Sequence, residues 1–376
     1  MRRPARPTRT ATAVLAATLA LALAAPAGAH GPERRPHERR APALKVVTVR
    51  GGLDNPTGFT FAPNGRIWYI EKNTGRIYIL NRDTGGRRLF TDISGVSGLG
   101  ERGGLGIALH PDWPARPFVY AYVTRTDNGV LQNELLRFRS EDDHVAATKR
   151  LFGWRVSSAT NHNGGRILFG PDGNLWIVVG ENADPRFSQQ RGNLRGKILR
   201  IAPDGSIPNG NPFGTRVYAT GVRNSFGMAF DPETDRLWET ENGPGCNDEL
   251  NLIRRGGNFA WGPHQSCGSL PAPRDTNRDG ANRIMPKEWF VSTLGITGAA
   301  FCERCGLGGA RDGALFYGDV NTSHLYVSEL TASRTGIVGS PEDVLALPTV
   351  VYSMEVGPRH RIYVSGPNGI YRLTTV

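Results

Sequence analysis

The feature that most restricts this chain is a unit that returns six times along it. Each copy reads as an apolar strand, a turn rich in Pro, Asp, Asn and Gly, a second apolar strand, a polar gap and a third strand. The first three copies are P-T-G-F-T-F-A-P-N-G-R-I-W-Y-I…R-I-Y-I-L from Pro56, G-L-G-I-A-L-H-P…F-V-Y-A-Y-V from Gly104 and G-G-R-I-L-F-G-P-D-G-N-L-W-I-V-V…G-K-I-L-R-I from Gly164. The series continues with N-S-F-G-M-A-F-D-P-E-T-D-R-L-W-E-T from Asn224, I-T-G-A-A-F…G-A-L-F-Y-G-D…H-L-Y-V-S-E-L from Ile296 and V-Y-S-M-E-V-G-P-R-H-R-I-Y-V-S…G-I-Y-R-L from Val351. A period of about 40 to 70 residues marks a repeat architecture. A small antiparallel sheet cannot bury both faces alone, and several set round an axis bury them against one another. The pattern predicts an all-β fold, a six-bladed β-propeller over residues 44–376. The apolar run at residues 44–49 is expected to complete the last blade and close the ring.

The segments before the repeats have a different composition. Arg2, Arg3, Arg6 and Arg9 precede an alanine- and leucine-rich run, and Ala27-Gly28-Ala29 follows it. This order predicts a secretory signal peptide over residues 1–29 and a secreted or extracytoplasmic protein. The apolar run is short for a membrane span, and no later stretch approaches about 20 apolar residues. Residues 30–43 are charged and proline-rich with nothing to bury, and are expected to form a disordered leader. The formal charge of +11 is concentrated there: 45 Lys and Arg stand against 34 Asp and Glu, and four of the arginines belong to the signal. The mild excess left on the folded part, with no basic stripe and no nucleic-acid motif, argues against a nucleic-acid partner.

Within the third copy, strands at 166–169 and 175–179 flank the turn Gly170-Pro171-Asp172-Gly173. Pro presets φ for one turn position and Asp-Gly tolerates φ > 0. His162 precedes the first strand and Glu181 follows the second, so the hairpin should bring them to one rim. A carboxylate beside an imidazole fixes its tautomer and raises its basicity. Loops at one end of a propeller converge, which gathers Glu101 and Arg102, Arg223 and Asn224, residues 293–297, and Asn242, Gly243 and Pro244 at the same rim. That set suits an anionic, carbonyl-bearing ligand and a hard cation.

The motifs G-E-R-G-G-L-G-I-A-L-H-P (100–111), N-H-N-G-G-R-I-L-F-G-P-D-G (161–173), G-K-I-L-R-I-A-P-D-G-S-I-P-N-G-N-P-F (196–213), G-V-R-N-S-F-G-M-A-F (221–230) and E-N-G-P-G-C-N-D-E-L-N-L-I-R-R-G-G-N-F-A-W (241–261) occur in a fixed order. Together they resemble the soluble glucose/sorbosone dehydrogenase family, six-bladed propellers that use pyrroloquinoline quinone with Ca²⁺; residues 262–376 match it less closely. The resemblance implies a small-molecule sugar substrate, an electron acceptor, and His162 as the base that takes the C1 hydroxyl proton while hydride passes to the quinone C5. It places Glu181 where the family orients that histidine and Glu101 near the substrate. It puts Arg223 and Asn224 on the quinone, Asn242 on a polar site contact, and the Gly243 and Pro244 carbonyls on Ca²⁺. The chain departs from the family at the basic residues expected in blades five and six, where it reads L-T-A-S-R (330–334) and V-V-Y-S-M-E-V (350–356). Arg334 is the one stand-in, and Thr331 and Ser353 mark where cations are missing. A propeller that binds a carbohydrate or other ligand without quinone chemistry is the alternative reading.

Four cysteines in an exported chain suggest two disulfides. Pairing loop neighbours favours Cys246 with Cys267 and Cys302 with Cys305; a zinc Cys₄ site is the alternative. Asp275, Asn277 and Asp279 match the first half of a D-x-N-x-D-G calcium loop, with Pro286 where the closing glutamate usually stands; a plain Asx-rich turn is the other reading.

Overall fold

The computed structural model describes residues 41–376; the expected signal peptide and residues 30–40 of the leader lie outside it. Six four-stranded antiparallel sheets follow one another along the chain. Their inner strands are Pro56–Phe61, Gly104–Leu109, Ile167–Phe169, Ser225–Phe230, Ile296–Phe301 and Ser353–Val356. The six-bladed propeller is thus the fold of the repeats. Leu44–Gly51 pairs with Gly369–Thr375 as the outer strand of blade six, which closes the ring as expected. Pro42 and Ala43, assigned to the leader from sequence, already touch the fold: Arg311 Nη1 donates to Pro42 O at 2.6 Å and Val376 N to Ala43 O at 2.9 Å.

Blades one to five each have a fourth strand that the repeat did not show. The fourth strands of blades one, two and five, Arg87–Asp92, His144–Arg155 and Ile337–Ala346, are largely exposed. Their side chains are mostly polar and make ion pairs with the neighbouring strand, such as Arg76 with Asp92 and Arg150 with Glu134, so no apolar alternation marks them. The middle strands, such as Ile67–Glu71 and Leu175–Val179, are buried throughout because neighbouring blades cover both faces. One of the six apolar clusters joins Trp68, Ile70 and Phe90 of blade one to Ile107, Val123 and Phe138 of blade two.

Near the axis the inner strands come into backbone contact. Gly58, Gly106, Gly227 and Gly298 each end a register shift in their strand. A Cβ on Gly106 would meet Gly165 O at 2.1 Å, and one on Gly227 would meet Thr297 O at 2.8 Å. Glycine at this recurring position therefore sets how closely the blades approach. Arg166 fills the axis: Nε donates to Phe226 O at 3.0 Å and Nη2 to Tyr352 O at 2.8 Å, while both terminal nitrogens reach Thr57 O at 3.3 Å. One buried guanidinium so ties blade three to blades four, six and one.

Both disulfides pair loop neighbours as favoured: Cys246–Cys267 and Cys302–Cys305, with no cysteine left free. A Cys₄ zinc site is thereby excluded. Among the described residues no helix is long and apolar enough to cross a membrane.

Candidate active site

The blade-three hairpin forms as read. Ile167 pairs with Ile177 and Phe169 with Leu175, and Gly173 N closes the turn onto Gly170 O at 2.9 Å. His162, before the first strand, adopts a left-handed backbone with φ 58°, a conformation a non-glycine residue keeps only when its surroundings impose it. Three bonds do so here. His162 N donates to Glu101 Oε2 at 2.6 Å, and His162 O accepts from Asn182 N at 2.9 Å and Asn182 Nδ2 at 3.0 Å. The absent side chain of Gly180 makes room, since a Cβ there would meet His162 O at 2.3 Å. The ring then lies with Nδ1 2.8 Å from Glu181 Oε1, both side chains buried. With Nδ1–H donated to that carboxylate, Nε2 is the basic nitrogen, and it has no hydrogen-bond partner among the described residues.

Glu101 joins three blades at this rim. Its Oε2 accepts from His162 N of blade three and from Asn224 Nδ2 of blade four at 3.1 Å. Asn224 O in turn accepts from Asn242 N at 2.9 Å, and Asn242 Nδ2 reaches Ile296 O at 3.1 Å. Arg223 N donates to Glu241, its Nη1 donates to Asn242 O at 2.6 Å, and its guanidinium lies 5.2 Å from the Trp261 ring centre. Burial pulls the Arg223 pKa below its ordinary value, against the pull of the Glu181, Glu241, Glu101 and Asp248 carboxylates. Arg102, gathered to this rim from sequence, is committed to structure: its Nη2 holds the carbonyls of Ser157, Ser158 and Ala159.

Gly243 and Pro244 sit in a turn braced by Asp248. Asp248 Oδ1 accepts from Gly243 N at 2.7 Å, and Oδ2 accepts from Leu294 N at 2.7 Å and Gly295 N at 2.6 Å. Neither the Gly243 nor the Pro244 carbonyl accepts a hydrogen bond among the described residues. Around them Glu181 Oε2, Arg223 Nε, Asn224 Oδ1 and Asn242 Oδ1 are buried without a partner. Buried polar atoms of this kind take partners from ordered water or from a polar ligand, and a cluster of them at one rim marks where either would bind. The donor set fits a quinone and a hard cation: free carbonyls for the ion, and an arginine with two amides for a polar ring.

Other sequence expectations need correction. Arg334 is not available to a ligand at this rim. Leu330 ends a strand running to the opposite end of blade five, and Arg334 Nε and Nη2 donate to Asp231 at 2.6 Å each. Thr331 lies at that same far end, where it bonds Gly336 O. Ser353 does begin the blade-six inner strand at the site end, fully buried with its hydroxyl unpartnered. Asp275, Asn277 and Asp279 do not converge as calcium ligands. Asp275 accepts from Asn247 Nδ2 at 2.6 Å and Gly268 N at 2.8 Å, Asn277 Nδ2 donates to Phe259 O at 2.9 Å, and Asp279 holds His264. Their partners are spread over residues 247–268, in and beside the loop closed by the Cys246–Cys267 disulfide, and no group of three or more His, Cys, Asp or Glu is placed for a metal among the described residues.

Two features escaped the sequence reading. Lys72, from the top turn of blade one, is a second cation at this rim. It donates to Gly98 O at 2.7 Å and feels the charges of Glu101 and Asp54, while burial lowers its pKa. Only the position of that turn beside Glu101 would have singled it out. Glu239, Glu241 and Glu249 form a buried acidic group in blade four; Glu241 pairs directly with Glu249 across the strands. Burial pushes all three carboxyls up, and repulsion from their neighbours adds to it at Glu241 and Glu249. The alternation E-T-E at 239–241 was the available signal, because residues two apart share a strand face.

Comparison with known proteins places the chain among its relatives. The family model for glucose/sorbosone dehydrogenase matches residues 53–373. The aldose sugar dehydrogenase YliI of Escherichia coli K12 is 32% identical over 235 residues, covering 59% of this chain and 62% of that protein. Quinoprotein glucose dehydrogenase B of Acinetobacter calcoaceticus is 29% identical over 247 residues, covering 57% of this chain and 51% of that one. The alignments thus span about half to three-fifths of the curated relatives. The quinone-bound aldose sugar dehydrogenase of Streptomyces coelicolor superposes with a TM-score of 0.75 at 28% identity, over 89% of this chain and 100% of that one. A match across nearly all of the propeller leaves one conclusion: the chain belongs to the glucose/sorbosone dehydrogenase family.

Proposed function

We propose that this chain is an exported quinoprotein that oxidises an aldose at C1, using pyrroloquinoline quinone held by Ca²⁺. The observation that carries the reading is the His162–Glu181 pair beside a cluster of unpartnered buried polar atoms. When bound, the quinone supplies the acceptor for the two electrons that leave C1 as hydride. The chain's own residues do the rest. His162 Nε2 removes the C1 hydroxyl proton, the C1–O bond becomes a carbonyl, and the sugar leaves as its lactone. Glu181 keeps Nδ1 protonated and stabilises the positive charge that develops on the ring. Glu101, through His162 N and Asn224 Nδ2, holds base and amide in fixed register. Arg223, Asn224 and Asn242 are the residues we assign to the cofactor, and the Gly243 and Pro244 carbonyls to the cation. The electrons pass on to an external acceptor.

One observation favours the second reading, a propeller that binds its ligand without redox chemistry. The site-end loops at 320–323 and 347–352 contain no lysine or arginine, and a tricarboxylate needs cations to offset its desolvation. Lys72 and Arg223 are the two cations we assign to that task. The deciding experiment reconstitutes the purified protein with the quinone and Ca²⁺ and assays dye reduction over a panel of aldoses. Turnover of at least one aldose that needs both additions supports the enzyme. Quinone binding with no turnover, or no binding at all, supports the non-redox reading.

A further inference from the structure

We propose that the cleft between blades six and one, at the end of the propeller opposite His162, binds a phosphate-bearing anion through Arg359 and Arg372. The cleft has a volume of about 410 Å³ and is lined by Arg82, Arg359, Arg361 and Arg372, with Tyr363 at its wall. Asp83 is the only carboxylate in the lining, and its side chain is 84% exposed. Four guanidinium groups around one small cleft repel each other unless an anion joins them.

The four arginines are not equally occupied. Arg82 is held by the Tyr363 hydroxyl at 3.3 Å and by Asp83 at 3.5 Å, and Arg361 Nη1 donates to Cys305 O at 2.8 Å. Arg359 and Arg372 have no hydrogen-bond or ion-pair partner among the described residues. The first pair shapes the wall; the second pair is left to bind.

The turn that carries Arg359 supplies an independent observation. Arg359 and His360 both adopt left-handed backbone, with φ 59° and 57°. Two consecutive L-residues in this region are disfavoured and persist where the surroundings fix them, commonly at ligand clamps. The surroundings do fix them here. Gly357 N bonds Arg361 O at 2.8 Å, and a Cβ on Gly357 would meet the Phe61 and Tyr363 rings at 2.6 Å. His360 turns aside towards Glu303, 3.6 Å away, and leaves Arg359 in the cleft.

Guanidinium groups match phosphate oxygens with parallel N–H donors, which a lysine cluster would not. The cleft is large enough for a diphosphate or a phosphate monoester. The same chemistry is offered by a free phosphate compound or by a lipid headgroup.

The test is calorimetric titration of the full chain with inorganic pyrophosphate at low ionic strength, beside co-sedimentation with phosphatidylglycerol vesicles. Saturable pyrophosphate binding is expected, weakened at least about tenfold in Arg372→Ala and in Arg359→Asn. Asparagine tolerates the left-handed backbone, so the turn is kept. The Arg116→Ala variant, at an exposed arginine elsewhere, should bind as the unmodified chain does. Vesicle binding that pyrophosphate displaces would identify the headgroup as a source of the anion. Absence of saturable binding to either probe, or binding indifferent to both cleft variants, would overturn the assignment.

Discussion

Nδ1 of His162 lies 2.8 Å from Oε1 of Glu181, and the blade-three hairpin is what brings together two residues 19 positions apart. In the reconstituted protein, His162→Ala should lower kcat by at least about 10²-fold, the usual worth of a positioned base. Glu181→Gln should lower it less, because the amide oxygen still accepts the Nδ1 proton while the negative charge is gone. Steady-state assays on both variants check the order; equal losses would mean that the charge of Glu181 matters as much as the base.

Quinone affinity should depend on both cations at the rim. Arg223→Ala and Lys72→Ala are each expected to weaken binding by about 10- to 100-fold, from the loss of one charge-assisted hydrogen bond. Equilibrium titration in the presence of Ca²⁺ measures this. A Lys72→Ala protein that binds as tightly as the unmodified chain would remove Lys72 from the site.

The buried glutamates of blade four give stability a definite pH dependence. Glu239, Glu241 and Glu249 hold protons in the folded state that the unfolded chain releases above its ordinary carboxyl range. Between about pH 4.5 and 8 the native state therefore binds more protons, and stability falls as pH rises through that window. The loss should amount to several kcal/mol, roughly 1–2 kcal/mol for each unit by which a carboxyl is raised. Glu249→Gln keeps an acceptor for Asn251 and should flatten the slope, read from urea unfolding at pH 5 and pH 8. Arg223 and Asp248 face the same group, so neither should be changed in that experiment.

Gly106 should not tolerate alanine. Its Cβ would stand 2.1 Å from Gly165 O, a backbone atom of the next blade that cannot move without shifting an inner strand. Overpacking of this kind costs roughly 1–3 kcal/mol. Gly129→Ala makes a useful contrast, since nothing lies within 4 Å of a Cβ there and only its left-handed φ of 75° resists the change. Thermal unfolding of the two variants should show the larger loss for Gly106→Ala.

The architecture was legible because each repeat carries its own turn chemistry and its own apolar strands, and ring closure by the run at 44–49 followed from counting strands. What stayed hidden was polar. The fourth strands, such as His144–Arg155, are largely exposed and leave no apolar pattern. At the candidate site, proximity along a hairpin brought out His162 and Glu181, and a turn sequence brought out Gly243 and Pro244. Lys72 was missed because its neighbour Glu101 belongs to another blade, and no local spacing reports contact between blades. Arg334 misled for the opposite reason: a basic residue near the right number lies in the turn after a strand that has already run to the far end. The D-x-N-x-D-G stretch shows the limit of a short motif, since its side chains were drawn to Asn247, Gly268, Phe259 and His264.

Ring closure by Leu44–Gly51 makes neighbours of the two ends of the folded part: Val376 N bonds Ala43 O at 2.9 Å. The circle of blades consequently has no structural beginning. Linking those ends and reopening the chain at the exposed turn of Asn128 and Gly129 would yield a circularly permuted protein with the same six sheets. In that molecule blade two, instead of blade six, would be stitched from strands at opposite ends of the sequence. The blade that must wait for distant strands is thus a matter of where the chain is cut, while the His162–Glu181 hairpin remains local in either version.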